Sequence, residues 1–174
     1  IARLKNAAAL YRDQLQDVDA AAGALRQALA LDPNDLGLLG ELARNLAAAG
    51  QHAEAIADVT RLLEGHLDRD AGRADLLRVR ADLSTSASQP FEALADMEEA
   101  YGIVGAPVLS EFLGALVQAR DAARDSGADA MARSTSLRLI ELLDANGDKE
   151  RARDELAALT ELLPQDAELL ATLR

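Results

Sequence analysis

The 174-residue sequence contains no cysteine and no tryptophan, and its aromatic content is only 2%. Without cysteine the chain has neither disulfides nor thiolate metal sites, and nothing in it indicates a redox compartment. β-Branched residues are sparse, which argues against sheets. Uninterrupted apolar runs of about 18 residues are also missing, so the sequence predicts no membrane-spanning helix.

Alanine and leucine dominate the composition that remains. Alanine occurs 38 times and leucine 32 times, and both residues favour helices. The sequence therefore predicts an all-α fold. Because the chain opens at Ile1 inside a helical pattern and without an initiator methionine, we expect it to be a piece of a longer protein.

The balance of charge is strongly acidic. The 18 basic and 30 acidic residues leave a formal net charge of −12. A field of that sign repels nucleic acid and anionic lipid, and it favours a basic partner or simple solubility. We therefore expect no nucleic-acid partner and no membrane insertion.

A short alanine pattern recurs four times along the chain. In each copy an alanine is followed by a larger apolar residue four positions on and by another apolar residue three positions further, which places all three on one helical face. The copies are Ala21–Leu25–Ala28, Ala55–Val59–Leu62, Ala93–Met97–Ala100 and Ala152–Leu156–Leu159.

A second pattern, with spacings of three, one and three, precedes each alanine pattern. Gly50 and Gly147 separate the two patterns in the second and fourth copies, whereas the third copy has "SASQP" there and polar residues at two usually apolar places. The copies are Leu4–Ala7–Ala8–Tyr11, Leu39–Leu42–Ala43–Leu46, Leu77–Arg80–Ala81–Ser84 and Ser136–Leu139–Ile140–Leu143.

These features resemble the tetratricopeptide repeat family, and residues 38–64, "LLGELARNLAAAGQHAEAIADVTRLLE", are the best match. The distance from Ala21 to Ala55 also equals the family's period. The resemblance implies a right-handed α-solenoid of about nine or ten helices, arranged in antiparallel pairs. We expect one domain over 1–174, with repeats at 1–35, 36–69, 74–105 and 133–166, an irregular long helix at 107–125 and a C-terminal helix at 166–174.

The segment 107–125 does not follow the repeat register. Pro107 suits the first turn of a helix, and Leu109, Phe112, Leu113 and Leu116 repeat the first-helix spacing. No alanine pattern follows it. Either a second helix has merged with the next first helix, or one unpaired helix interrupts the array.

The stretch "LLDANGDKERARDE" (142–155) carries acidic residues at the spacing of a calcium loop. Lys149, however, occupies the place of the required glycine, and the repeat register puts Asp148 at a helix start. We therefore predict a turn in which Asp148 caps a helix, and not an ion site. By the same reasoning Pro33 stops a helix and Asn34 or Asp35 caps the next one.

No other motif indicates chemistry. His52 and His66 have no partner at metal-ligand spacing, and two histidines so placed do not form a nucleophile–base pair. The acidic pairs Glu98–Glu99 and Asp154–Glu155 are interpreted as solvated charge. The sequence therefore predicts no cofactor, no metal and no enzyme activity.

The resemblance implies that first helices line a concave groove that receives a protein or peptide partner. A basic stripe there would favour an acidic ligand segment. The candidate groove residues are Lys5, Asn6, Arg12, Glu41, Arg44, Arg78, Asp82, Arg138 and Glu141.

The co-chaperone branch of the family holds a terminal carboxylate with lysine, asparagine and arginine at fixed groove places. Lys5 fits one such place, but the later ones hold Ala9, Glu41, Asp75 and Val79, so this carboxylate clamp is not expected.

The function predicted is non-catalytic protein recognition within a larger assembly, which the alanine-, arginine- and leucine-rich usage suggests is bacterial. Two alternatives remain open. The repeats could regulate an attached enzyme domain, or they could self-associate through the C-terminal apolar stripe of Leu169, Leu170 and Leu173.

Overall fold

The computed structural model describes residues 1–33, 35–66, 68–166 and 169. Within these ranges there are nine α-helices and no strand, which confirms the predicted all-α fold. A π-helical turn, Tyr11–Leu15, follows the first helix, and a 3-10 turn, Ala106–Val108, precedes the seventh. The helices are α1 (Ala2–Leu10), α2 (Val18–Leu31), α3 (Leu36–Ala48), α4 (His52–Gly65), α5 (Ala71–Ser86), α6 (Pro90–Val104), α7 (Leu109–Asp125), α8 (Asp129–Ala145) and α9 (Lys149–Leu162).

The chain divides into two compact units, Ile1–Val108 and Leu109–Arg174. In the first unit, which holds α1 to α6, consecutive helices pack together, and α3 also contacts α5. In the second unit, α8 packs against both α7 and α9. The single domain over 1–174 and the repeat boundaries stay predictions. The C-terminal helix at 166–174, with Leu170 and Leu173, lies outside the described residues apart from Asp166 and Leu169.

The alanines of the recurring pattern lie at helix contacts. Ala21 on α2 is 0% exposed, Ala55 on α4 and Ala93 on α6 are each 1% exposed, and Ala152 on α9 is 6% exposed. A side chain of one methyl group lets two helix backbones approach closely. The four alanines are therefore buried in the packed interior.

Helix α1 ends differently from the other first helices. Ala8 is fully buried, but Tyr11 is 36% exposed. The π-helical turn widens the backbone at Tyr11 and ends at Gln16, whose φ of 53° closes it. Tyr11 therefore does not pack as the last member of the first-helix pattern does in the second copy, where Leu46 is fully buried.

The same turn geometry joins four pairs of consecutive helices, namely α3 and α4, α5 and α6, α7 and α8, and α8 and α9. Gly50, Gly127 and Gly147 take a left-handed conformation with φ between 69° and 82°, and Ser88 takes it with φ of 60°. In each turn the next residue's N–H donates to the carbonyl five residues back, which is the Schellman closure. These bonds are Gln51 to Leu46 at 2.8 Å, Gln89 to Ser84 at 2.8 Å, Ala128 to Ala123 at 2.8 Å and Asp148 to Leu143 at 2.9 Å.

The segment that resisted the repeat register is α7, which begins at Leu109 and follows a 3-10 turn that contains Pro107. Its turn into α8 is followed by Ala132, which is five residues after Gly127 and is fully buried. Ala132, Ser136 and Leu139 have the spacing of the alanine pattern, but the second place holds a serine and not a larger apolar residue. Helix α8 is the second helix of a pair with α7 and the first helix of a pair with α9.

Three buried acids occupy one equivalent place, three residues after the alanines of α4, α6 and α9. Asp58 is 7% exposed, Asp96 is 5% exposed and Glu155 is 8% exposed. The interpretation of Glu155 as solvated charge is therefore wrong, whereas its neighbour Asp154 is exposed. Glu98 is exposed and Glu99 is half-buried, where it accepts from Arg73 Nε at 2.7 Å.

Each buried acid is paired with an arginine from another helix. Arg26 Nε on α2 donates to Asp58 at 2.7 Å, and this hydrogen bond raises the pKa of Arg26 above its ordinary value. Arg120 on α7 donates to Glu155. Pairing of this kind offsets the cost of burying a carboxylate, so these contacts tie neighbouring helices together.

Candidate partner-binding groove

The first helices α3 and α5 form the two walls of an open cleft of about 240 Å³, which we call the α3–α5 groove. Two candidate residues, Arg44 and Asp82, lie on opposite walls. The remaining lining was not identified from the sequence. It consists of Gly40, Ala43 and Ala47 from α3 and of Val79, Leu83 and Ser86 from α5.

Small side chains give the α3 wall its shape. Gly40, Ala43 and Ala47 recur at intervals of three and four, so they lie on one face of the helix. A Cβ added at Gly40 would lie 3.4 Å from Arg44 Nη1, which shows that the arginine turns back along the helix over this glycine. The wall therefore presents backbone and methyl groups beneath a guanidinium.

Asp35 fixes the start of the α3 wall. Its Oδ1 accepts from the Leu38 N–H at 3.0 Å, so the predicted cap at Asn34 or Asp35 is formed by Asp35, while Asn34 lies outside the described residues. Lys5 Nζ on α1 donates to Asp35 Oδ2 at 3.2 Å. The Leu38 N–H and then Lys5 lower the pKa of Asp35 below its ordinary value.

Most cations of the predicted basic stripe are already paired. Arg12 donates to Asp13 at 2.6 Å and to Glu41 at 3.1 Å, and these carboxylates raise its pKa. Arg78 Nη1 donates to Asp75 at 3.1 Å, and Lys5 pairs with Asp35 as above. The stripe is thus largely neutralised by the chain's own carboxylates, and Asn6 is exposed beside it.

Arg44 differs from the other predicted cations. It is exposed, and within the described part of the chain it has no hydrogen-bond or ion-pair partner. A guanidinium carries five N–H donors. The α3–α5 groove therefore offers one cation whose donors are open to a ligand.

Arg138 and Glu141, the last two candidates, lie on α8 in the second unit. Arg138 Nη1 donates to Glu141 Oε2 at 3.1 Å, while Arg138 Nε is buried without a hydrogen-bond partner. Sequence reasoning placed these residues in the groove with the others. The structure shows them as a local pair one helical turn apart.

The acidic stretch at 142–155 is the predicted turn. Asp148 caps α9 by accepting from the Arg151 N–H at 3.3 Å, and Asn146 Nδ2 donates to the Leu142 carbonyl at 2.7 Å. Glu155, the twelfth residue of the supposed calcium loop, is buried against Arg120 instead. Among the residues described, no group of three or more histidines and carboxylates is placed to hold a metal ion.

The two histidines differ in their surroundings. His66 Nε2 lies 2.7 Å from Asp70 Oδ1, and the Arg73 N–H, followed by His66, lowers the pKa of Asp70. His52 begins α4, and its Nδ1 is buried without a hydrogen-bond partner. No helix in the described ranges has both the length and the apolar character needed to cross a membrane.

Comparison with known proteins identifies the type of fold. No family model and no curated protein matches the chain. A tetratricopeptide repeat protein from Parabacteroides merdae ATCC 43184 is similar in structure, with a TM-score of 0.50 and 20% identity over 97% of this chain and 68% of that one. The MamA protein is similar with a TM-score of 0.52 and 15% identity over 96% of this chain and 93% of that one. The fold is therefore a helical repeat of the tetratricopeptide type, as predicted.

Proposed function

We propose that this chain is a non-catalytic protein-interaction module that holds a segment of a protein partner in the α3–α5 groove, within a larger bacterial assembly. One observation carries the proposal. Arg44 is an exposed cation with no hydrogen-bond or ion-pair partner among the described residues, and it stands beside a wall of small side chains in a chain whose net charge is −12. A helical repeat of this type needs one face of each helix for packing and leaves the other face available.

The lining of the groove defines the partner segment. Gly40, Ala43 and Ala47 project little beyond the helix, so the backbone of a bound segment can come close to α3. Val79 and Leu83 on the opposite wall favour an apolar side chain. Arg44 favours a carboxylate on the same segment, because charge-assisted hydrogen bonds to guanidinium are stronger than neutral ones.

The lining of the groove favours binding over chemistry. Ser86 is the single hydroxyl-bearing side chain among the described lining residues, and its Oγ donates to the Asp82 carbonyl at 2.9 Å. A serine nucleophile requires a general base within hydrogen-bond reach of its hydroxyl. The bond that Ser86 makes is instead a helix-backbone contact, which suits a structural role.

The proposal is tested by selecting short random peptides on the immobilised chain and measuring the affinity of the selected peptides by calorimetry. Charge reversal in Arg44→Glu should weaken binding about tenfold, since an attraction becomes a repulsion. The matched control is Arg153→Glu on α9, which makes the same charge change at another exposed arginine. If no peptide is selected, or if Arg44→Glu binds as the wild type does, the groove is not the binding site.

A further inference from the structure

A second cleft lies on another surface of the first unit, between the second helices α2 and α4, and we call it the α2–α4 cleft. Its walls are formed by Leu29, Pro33 and Leu62. Leu42 of α3, which is 1% exposed, also lines it and places the hydrophobic core at its base. The base and part of the walls are therefore apolar.

The size of this cleft fits one side chain. Its volume is about 240 Å³, which is roughly that of eight water molecules at about 30 Å³ each. Sites for small molecules and cofactors usually measure about 300–1,000 Å³. A single large apolar side chain is thus a better occupant than a cofactor.

Two arginines and one carboxylate line the same cleft. Asp58 is buried, and it accepts from Arg26 Nε at 2.7 Å and from Arg61 Nη1 at 2.9 Å. Arg26 also donates to Glu54 at 2.6 Å, so it has a carboxylate on each side. Among the described residues Arg61 pairs with Asp58 alone, and its side chain is 71% exposed.

Arg61 is therefore the residue of this cleft that has hydrogen-bond donors left for a ligand. One of its five N–H donors is used by Asp58, and the side chain is exposed at the edge of the cleft. Counting Glu54 beside Arg26, the two arginines here face two carboxylates, and Arg61 keeps N–H donors that an acidic group on a ligand can use.

We propose that the α2–α4 cleft is an anchoring site for a protein partner, which inserts one bulky apolar side chain, leucine or phenylalanine, and pairs an adjacent carboxylate with Arg61. The site is separate from the α3–α5 groove and does not depend on it. The apolar side chain is buried against Leu29 and Leu62, and the carboxylate remains at the exposed rim. Such an aliphatic or aromatic anchor in a pocket is the usual centre of a small interface.

The probe is a short capped peptide in which phenylalanine is followed by aspartate between glycines and serines. Two matched peptides replace the phenylalanine by alanine or the aspartate by lysine. Titration of each peptide into the ¹³C-methyl-labelled chain is followed by NMR. The phenylalanine–aspartate peptide should shift the methyl signals of Leu29 and Leu62 at millimolar concentration, and each replacement should reduce these shifts at least several-fold.

Two variants of the chain itself also test the site, at exposed positions where the fold tolerates substitution. Ala30 and Arg61 both line the cleft and are exposed. Ala30→Trp should fill the cleft and remove the shifts, and Arg61→Glu should weaken the peptide about tenfold. Arg153→Glu on α9, which makes the same charge change at an exposed arginine outside both clefts, is the control and should leave the shifts of Leu29 and Leu62 unchanged.

Three results would overturn the proposal. These are an absence of methyl shifts at Leu29 and Leu62 at millimolar peptide, shifts that persist in Ala30→Trp, and equal binding of the aspartate and lysine peptides. A fourth would assign the cleft to another occupant. If the sedimentation coefficient rises with concentration in the wild type and not in Ala30→Trp, a second copy of the chain occupies the cleft.

Discussion

Arg80 on α5 and Asp96 on α6 meet in a two-point ion pair. Arg80 Nε lies 2.8 Å from Asp96 Oδ2, and Arg80 Nη2 lies 2.6 Å from Asp96 Oδ1. The carboxylate is buried and raises the pKa of Arg80. Arg80 also donates to Thr60 Oγ1 on α4 at 3.1 Å, so a single side chain links three consecutive helices.

Removing the Arg80 side chain should destabilise the fold, because the buried Asp96 carboxylate then loses its ion-pair partner. Arg80→Met leaves Asp96 charged and uncompensated, so the free energy of unfolding should fall by about 3 kcal/mol. The double variant Arg80→Met, Asp96→Leu should recover most of this loss, because no buried charge remains. Urea denaturation of both variants measures the difference.

Arg78→Met is the matched control on the same helix. Arg78 pairs with Asp75 across one helical turn, and both side chains are 39% exposed. A pair that reaches water contributes less than about 1 kcal/mol. Equal losses in Arg78→Met and Arg80→Met would contradict the role assigned to burial.

The alanine contacts set how closely the helices approach. Ala55→Leu adds three carbons where Ala55 is 1% exposed, and overpacking of this kind should lower the free energy of unfolding by about 1–3 kcal/mol. Ala57→Leu makes the same change at an exposed position of α4 and should stay within about 0.5 kcal/mol of the wild type. A variant Ala55→Leu as stable as Ala57→Leu would show that α4 has no close contact at Ala55.

The turn between α5 and α6 should gain stability from glycine. Ser88 has the left-handed conformation with φ of 60°, which is unfavourable for a residue that carries a side chain. Gly50 has the same conformation, with φ of 75°, in the turn between α3 and α4. Ser88→Gly should therefore raise the free energy of unfolding by about 1 kcal/mol, and Gly50→Ala should lower it by about as much. The idea fails if thermal melting shows both changes to be destabilising.

The cap at Asp35 should make part of the stability depend on pH. Its pKa is lower in the folded chain than its ordinary value of 3.8. A lowered pKa adds stability at all pH values above 3.8, and this stability is lost as pH falls from there through the folded-state value. The stability difference between the wild type and Asp35→Ala should thus be constant near neutral pH and shrink in acid.

Urea denaturation at several pH values measures that difference. Asp35→Asn provides the comparison, because asparagine also caps helices but carries no charge to attract Lys5. Its deficit relative to the wild type should likewise diminish in acid. A deficit for Asp35→Ala that stays constant down to about pH 2 would rule out this account.

The features predicted correctly from the sequence are local ones. The alanine stripes follow from the helical period, and the caps at Asp35 and Asp148 follow from a side chain that reaches its own backbone three residues on. Glycine indicated the turns at Gly50 and Gly147. Ser88 makes the same turn without that signal, which is why the third copy looked irregular.

The features that were missed depend on distant partners. Glu155 resembles surface charge until Arg120, 35 residues earlier, is placed beside it. Ser136 stands where all four copies of the alanine pattern have a larger apolar residue, so α8 did not match that pattern. Its Oγ donates to Glu155 Oε1 at 2.6 Å, so the polar choice has a physical reason that spacing alone does not reveal.

The groove lining was missed for a related reason. Sequence reasoning selected charged residues of the first helices, but α3 contributes Gly40, Ala43 and Ala47, whose small size is what opens the cleft. Their spacing of three and four was visible in the sequence. Which helix faces them, however, depends on the packing of α3 against α5.

Methyl NMR of the wild-type chain with a peptide selected on it tests the central claim most directly. If the α3–α5 groove holds the partner segment, the largest shifts will occur at Ala43, Ala47, Val79 and Leu83, and Arg44→Glu will reduce all of them together. Shifts confined to other surfaces, or groove shifts that are unchanged in Arg44→Glu, would contradict it.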